Sequence, residues 1–151
     1  MIIAWRLTHE RFKDQAMSGN GGLFVPGRWH NQGKRIVYSS SSLALATLEL
    51  FVNLQNKRQL THYVKSQIEI PKELTENLEK DVLRAFLRAP DQFDSRSYGD
   101  SWLAEERSCV LRVPSRVVPQ EWNYLINPSH RDFKKITAST SPYEVDERLL
   151  L

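Results

Sequence analysis

The chain has little with which to staple or anchor itself. It holds one cysteine, Cys109, in 151 residues, so no internal disulfide can form and a reducing compartment fits. No apolar run reaches the ~18 residues that a membrane span needs. The opening stretch, Met1-Ile2-Ile3-Ala4-Trp5-Arg6-Leu7, lacks the charged, apolar and cleavage regions of a signal peptide, so a soluble cytoplasmic protein is expected. The four histidines, His9, His30, His62 and His130, stand far apart, with neither Cys-x-x-Cys nor His-x-x-x-His spacing, which argues against a metal site. Cys109 lies in an apolar stretch, where a thiol is a small hydrophobe rather than a nucleophile. Gly19-Asn20-Gly21-Gly22 lacks the Lys-Ser/Thr and the strand–helix frame of a phosphate loop. Charge of one sign is also scarce. The net charge is +3, with Lys and Arg scattered from Arg6 to Arg148, whereas a nucleic-acid footprint needs basic residues clustered on one face.

What is present is an ordinary globular composition, 40% hydrophobic and 26% charged, of a length that suits one domain with a real core. Runs rich in β-branched and aromatic residues predict strands over 2–7, 35–39, 62–70, 108–113 and 123–126, with short final strands over 134–139 and 143–146. One of Ser40, Ser41 and Ser42 should cap a helix over about 43–56. Thr8 could cap another, running through Ala16, and a further helix is expected over about 102–107. Residues 18–22 and 88–101 read as loops, 72–80 as weakly helical, 117–119 as extended and 129–133 as one helical turn. Strands and helices out of strict alternation, with no linker or repeat, point to a single α+β domain with a mixed sheet and flanking helices.

The helix after the serines carries the sharpest chemical signal. From Ile36 to Asn56 the only formal charge is Glu49. A helix apolar almost all round is normally buried, and a carboxylate within it is costly unless hydrogen bonds or a cation satisfy it. Such groups concentrate at functional sites, although structural ion pairs produce them as well. Around it, Arg6, Arg28, Tyr38, Ser115 and Asn127 fall at the ends of predicted elements, where sites are usually built. Arginines grip phosphates with a planar fork, tyrosine offers a flat ring, and a single acid can stabilise a developing cation. The set suits a ligand with phosphates, an aromatic ring and a reacting carbon between them. Arg28-Trp29-His30 and Trp5-Arg6 leave base stacking, and hence a non-catalytic nucleic-acid-binding module, as a minor alternative.

At these residues the chain resembles the RES-domain family, the toxins of RES–Xre toxin–antitoxin systems. The likeness rests on three blocks and on the ending Tyr143 to Leu149. The first block runs from Gly27-Arg28-Trp29-His30-Asn31 through Val37-Tyr38-Ser39 to Ala44-Leu45-Ala46-Thr47-Leu48-Glu49. The second is Gly99-Asp100-Ser101-Trp102-Leu103 followed by Leu111-Arg112-Val113-Pro114-Ser115 and Val117-Val118-Pro119, and the third is Glu121 to His130. Trp5 precedes Arg6 where another aromatic such as tyrosine is expected. The resemblance implies a fold like that of diphtheria-toxin-type ADP-ribosyltransferases and an enzyme that breaks the nicotinamide–ribose bond of NAD⁺, its substrate, with no cofactor. ADP-ribosyl transfer to a protein or nucleic acid is the alternative. It also implies an Xre-type antitoxin partner, in a homodimer or a larger complex with that antitoxin. On this likeness Glu49 would face the ribose, Arg28 and Arg6 the diphosphate, Tyr38 the nicotinamide ring and Ser115 the nicotinamide or ribose region. Asn127 would make a ribose contact or support one.

Overall fold

The computed structural model describes all 151 residues, and its seven strands form one mixed sheet. The strands are β1 (Ile2–His9), β2 (Val37–Ser40), β3 (Tyr63–Ile70), β4 (Thr75–Asn77), β5 (Val110–Pro114), β6 (Trp122–Ile126) and β7 (Thr137–Pro142), in the order β4-β5-β6-β2-β1-β3-β7. Only β4 and β5 run parallel; every other pair is antiparallel. Four α-helices accompany them: α1 (Gly21–Phe24), α2 (Leu43–Phe51), α3 (Lys80–Arg88) and α4 (Ser95–Glu105). The α+β expectation agrees with this architecture. No helix is long and apolar enough to cross a membrane.

Side chains alternate across a strand, and that alternation divides the core in two. Ala4, Val37, Ile68, Val110 and Ile126 pack together on one face. Leu111, Val113 and Leu125 point the other way, where Trp29, Phe86 and Trp102 cover them. The register sets Tyr38 opposite Leu125 and Leu125 opposite Leu111, so Tyr38 belongs to the second face. Trp5 pairs with Ser40, which gives Trp5 and Leu7 the same orientation.

Several local expectations change. Ser42 is the cap of α2, its hydroxyl accepting the Leu45 N–H at 3.0 Å, but the helix stops at Phe51 rather than near residue 56. Nor is it buried all round: only Leu45 and Ala46 are, while Leu48 and Val52 are exposed. Much of its apolar surface instead walls a cavity, through Ala46, Leu50 and Val52. Thr8 continues β1, and His9 caps the 3₁₀ segment Glu10–Gln15. Residues 18–22 contain the start of α1 rather than an unstructured loop. Helix α3 forms over residues 81–87, where the sequence pattern by itself favours neither helix nor strand, with one further residue at each end. Within 72–80, where a weak helix was expected, a 3₁₀ turn (Lys72–Leu74) leads into the strand β4.

Helix α4 begins seven residues before the predicted start. Asp94 caps it, accepting the Ser97 N–H at 3.1 Å, and Gly99 lets it lie directly on the Trp29 backbone, where any Cβ would collide with the Trp29 carbonyl. Residues 116–118 form bends and 119–120 a turn, where an extended segment over 117–119 is expected, and 143–146 form no strand. Instead of one helical turn over 129–133, a 3₁₀ turn forms at Phe133–Lys135.

Candidate functional site

A cavity of about 910 Å³ opens on the second face of the sheet, within the size range of small-molecule sites. Its floor is β1, β2 and β6, through Trp5, Leu7, Tyr38, Ser40 and Leu125. Helix α2 forms one wall with Glu49, and residues 90–96 form another. The loop before β2 contributes Gly27 and Arg28, and the turn after β5 contributes Arg116 and Val117.

Glu49 is half-buried on α2. Its Oε1 accepts a hydrogen bond of 2.6 Å from the Ser115 hydroxyl. Ser115 is fully buried, and its Oγ also accepts the N–H groups of Val117 at 3.1 Å and Val118 at 3.0 Å. With two donors arriving from the backbone, the hydroxyl proton is directed at the carboxylate. Ser115 therefore stands behind Glu49 and orients it, and is not itself on the cavity wall. The other oxygen of Glu49 makes no side-chain bond, leaving acceptor capacity for a ligand.

Tyr38 is held just as closely. Its hydroxyl accepts the Trp29 N–H at 3.0 Å and lies 2.8 Å from His30 Nδ1. The other ring nitrogen of His30, Nε2, is 3.0 Å from the Val25 carbonyl. A carbonyl only accepts, so Nε2 carries the proton and Nδ1 receives the Tyr38 O–H. His30 is buried, and burial holds its pKa below the usual value, which favours this neutral tautomer. Burial also raises the Tyr38 phenol well above its ordinary range. The hydroxyl is thus spent within the protein, and what Tyr38 offers a ligand is its ring. Gly27 is required beneath it: a Cβ there would stand 2.5 Å from the Tyr38 hydroxyl.

The basic residues divide by role. Arg6 shares the orientation of Ala4 and Thr8 rather than that of Trp5. Its Nε donates to the Ala16 carbonyl at 2.8 Å and an Nη to the Tyr38 carbonyl at 3.0 Å. Burial brings its pKa down to about 10, and its guanidinium braces the strand that carries Tyr38. Arg28 is half-exposed at the cavity mouth, 3.2 Å from Asp91. Asp91 also bridges to Arg116 at 3.3 Å, and the two arginines hold its carboxyl below the usual carboxylate range. Arg96 donates from Nε to the Gly27 carbonyl at 2.8 Å, tying α4 to the arginine loop.

Of the six residues singled out from the sequence, Arg6, Arg28, Tyr38 and Glu49 line the cavity, Arg6 with its guanidinium spent on the Ala16 and Tyr38 carbonyls, and Ser115 stands immediately behind Glu49. Asn127 does not join them. It is buried beyond β6, where its Oδ1 accepts the Ser129 N–H at 3.0 Å and its Nδ2 faces the Leu103 carbonyl at 3.4 Å. Cys109 is buried beside the Asn127 carbonyl, with its thiol pushed up to about 11. Sequence reasoning passed over Asp91, Arg96 and Arg116. A polar stretch of the length of residues 88–101 within a compact domain is itself a functional signal for Asp91 and Arg96; Arg116, after β5, carries no such signal.

The RES domain family matches residues 3–146. "Toxin Res" of Photorhabdus laumondii is 34% identical over 152 residues, covering 99% of this chain and 97% of that protein. "Toxin Res" of Yersinia enterocolitica is 32% identical, covering 98% of this chain and 99% of its own. A Sphingobium protein named "Prs ADP-ribosylating toxin" is 35% identical over 140 residues, covering 89% of this chain and 87% of that one. Among solved structures, the M. tuberculosis MbcT–MbcA toxin–antitoxin complex contains a chain with the same fold. Its TM-score is 0.71 at 13% identity, over 92% of this chain and 83% of that one.

Proposed function

The chain belongs to the RES-domain family, and from that premise we propose that it is the toxin of a toxin–antitoxin pair that hydrolyses NAD⁺ at the nicotinamide–ribose bond. The observation that carries this reading is the carboxylate of Glu49, fixed on a helix by a buried serine and presented beside an aromatic ring and an arginine. In NAD⁺ the nicotinamide nitrogen is already cationic. When the C1′–N bond breaks, its electron pair goes to the ring and nicotinamide leaves neutral, so the second carboxylic acid that ordinary glycosides need is dispensable. Positive charge develops on the ribose, and Glu49 stabilises it electrostatically. Water then adds to C1′ and releases its proton, giving ADP-ribose, nicotinamide and H⁺.

Tyr38 faces the nicotinamide with its ring, and Arg28 meets the diphosphate. Arg6 supports Tyr38 through the backbone, and Ser115 holds Glu49; neither touches the substrate in this reading. NAD⁺ is a substrate, and no cofactor is invoked. The family and the toxin–antitoxin neighbour support a protein antitoxin as partner. Its Xre type, and a homodimeric or larger assembly with it, follow from the resemblance.

Chromatography of NAD⁺ incubated with the purified protein tests the proposal. Free ADP-ribose and nicotinamide should appear in equal amounts, and Glu49→Ala should slow their formation by about 10²–10³-fold, the usual cost of losing a transition-state electrostatic contact. A folded Glu49→Ala protein with full turnover refutes the role. The second reading is ADP-ribosyl transfer, favoured by the name of the Sphingobium relative. It predicts nicotinamide release with the ADP-ribose fixed to a macromolecule.

A further inference from the structure

Three segments distant in sequence meet at the cavity mouth: Arg28 before β2, Asp91 after α3 and Arg116 after β5. Asp91 bridges the two arginines, with Oδ1 3.2 Å from Arg28 Nη1 and Oδ2 3.3 Å from Arg116 Nη2. Each guanidinium gives one nitrogen to one oxygen, so most donors of both forks remain free. Asp91 is 70% exposed and the two arginines 39% and 44%, and ion pairs in that setting stabilise little. The bridge is therefore easy to open, and a ligand with more charge and more oxygens outcompetes it.

Arg116 is also set rigidly relative to Glu49. It directly follows Ser115, on a turn held by the Val117 and Val118 N–H bonds to Ser115 Oγ and by the Ser115 N–H to the Glu121 carbonyl at 2.8 Å. The same turn thus carries the hydroxyl that aims the carboxylate and the backbone from which the Arg116 guanidinium reaches the cavity mouth.

We propose that Arg116 is a second diphosphate-binding residue, paired with Arg28, and that the Asp91 carboxylate is an internal placeholder that keeps the two forks together and gives way to the substrate's phosphates. The inference rests on the NAD⁺ reading above and adds to it a residue that selects for the diphosphate. A dinucleotide diphosphate offers oxygens to both forks, each phosphate accepting bidentately from one guanidinium, whereas a mononucleotide offers one phosphate.

The test compares wild type, Arg116→Ala, Arg116→Lys and Asp91→Asn by initial rates on NAD⁺ and on nicotinamide mononucleotide, and by calorimetric titration with inorganic pyrophosphate. Thermal melting checks folding. Arg116→Ala should raise KM for NAD⁺ roughly tenfold, the scale of one charge-assisted hydrogen bond, with kcat within about threefold. The KM change for the mononucleotide should be smaller. Arg116→Lys, which keeps the charge but loses the fork, should fall between. Asp91→Asn should lower KM for NAD⁺ and tighten pyrophosphate binding. An unchanged KM in folded Arg116→Ala, with wild type turning over NAD⁺, overturns the inference and leaves the hydrolase reading intact. A raised KM in Asp91→Asn overturns the placeholder. If wild type does not consume NAD⁺, the hydrolase reading falls. The pyrophosphate titration still decides on Arg116: equal binding by wild type and Arg116→Ala overturns its role.

Discussion

Replacing Ser115 with alanine separates two ways in which a serine can serve this site. Ser115 is fully buried and makes three hydrogen bonds through one oxygen: it donates to Glu49 at 2.6 Å and accepts from Val117 and Val118. Alanine removes a charge-assisted bond, worth about 1.5–3 kcal/mol, and leaves two backbone N–H groups without their acceptor. Part of that cost returns if water enters, so a net loss near 2 kcal/mol is expected. In a chain of this length that corresponds to a melting temperature lower by roughly 4–8 °C. The catalytic effect should appear in kcat. A carboxylate free to rotate stabilises the ribose cation less well, and a loss of about 10–100-fold equals ~1.4–2.8 kcal/mol of barrier. KM for NAD⁺ should move little, since the hydroxyl does not reach the cavity. Steady-state kinetics below the melting transition make the measurement. If KM rises while kcat holds, Ser115 contacts the substrate directly; if both hold in a folded protein, the Ser115–Glu49 bond is irrelevant to turnover. Asn127→Ala is the control, a buried polar residue away from the cavity that should lower stability and leave both constants alone.

Acidification should destabilise the fold through His30. Its native pKa is lowered, chiefly by burial, with Asp100 raising it and Arg96 lowering it by smaller amounts. The unfolded chain therefore takes up the proton first, near pH 6.5. Stability from this group is present above that value, falls as pH drops through it, and levels off below the native pKa. His30→Asn should flatten the dependence of melting temperature on pH around 6, and an unchanged slope would dismiss the argument. Gly99→Ala should be among the most damaging small substitutions, because the added methyl meets the Trp29 backbone rather than a movable side chain. A loss above about 3 kcal/mol in chemical denaturation is expected, in the range reserved for severe overpacking, and a near-neutral result would mean that α4 is not seated on that loop.

The parts of this molecule legible from sequence are those that local chemistry decides. Ser42 before an apolar helix, β-branched runs ended by proline, and a lone acid among apolar residues each announce themselves within a few positions. Helix α4 does not, because Gly99 and Ser101 are poor helix formers in its interior. Its existence depends on the Asp94 cap and on docking against Trp29, so tertiary contact overrides propensity. The apolar pattern of α2 predicts burial on all sides, yet a helix that walls a ligand cavity needs apolar surface without losing all exposure.

The same limit explains how the polar residues sort. Asn127 and Ser115 are alike in sequence, each a small polar residue just after a strand, and each is buried. They differ only in what the fold lays beside them: Ser115 faces a carboxylate on α2, whereas Asn127 faces the Leu103 carbonyl and the Ser129 N–H. Arg6 and Arg28 diverge for a comparable reason. Strand parity turns Arg6 away from Trp5 and toward backbone carbonyls, while a loop leaves Arg28 at the cavity mouth beside a carboxylate. Charge type can therefore nominate a residue for phosphate binding, but which guanidinium is free to bind is settled by the partners it already has. By that criterion Arg28 and Arg116, tethered only by one exposed aspartate, are available, and Arg6 is not.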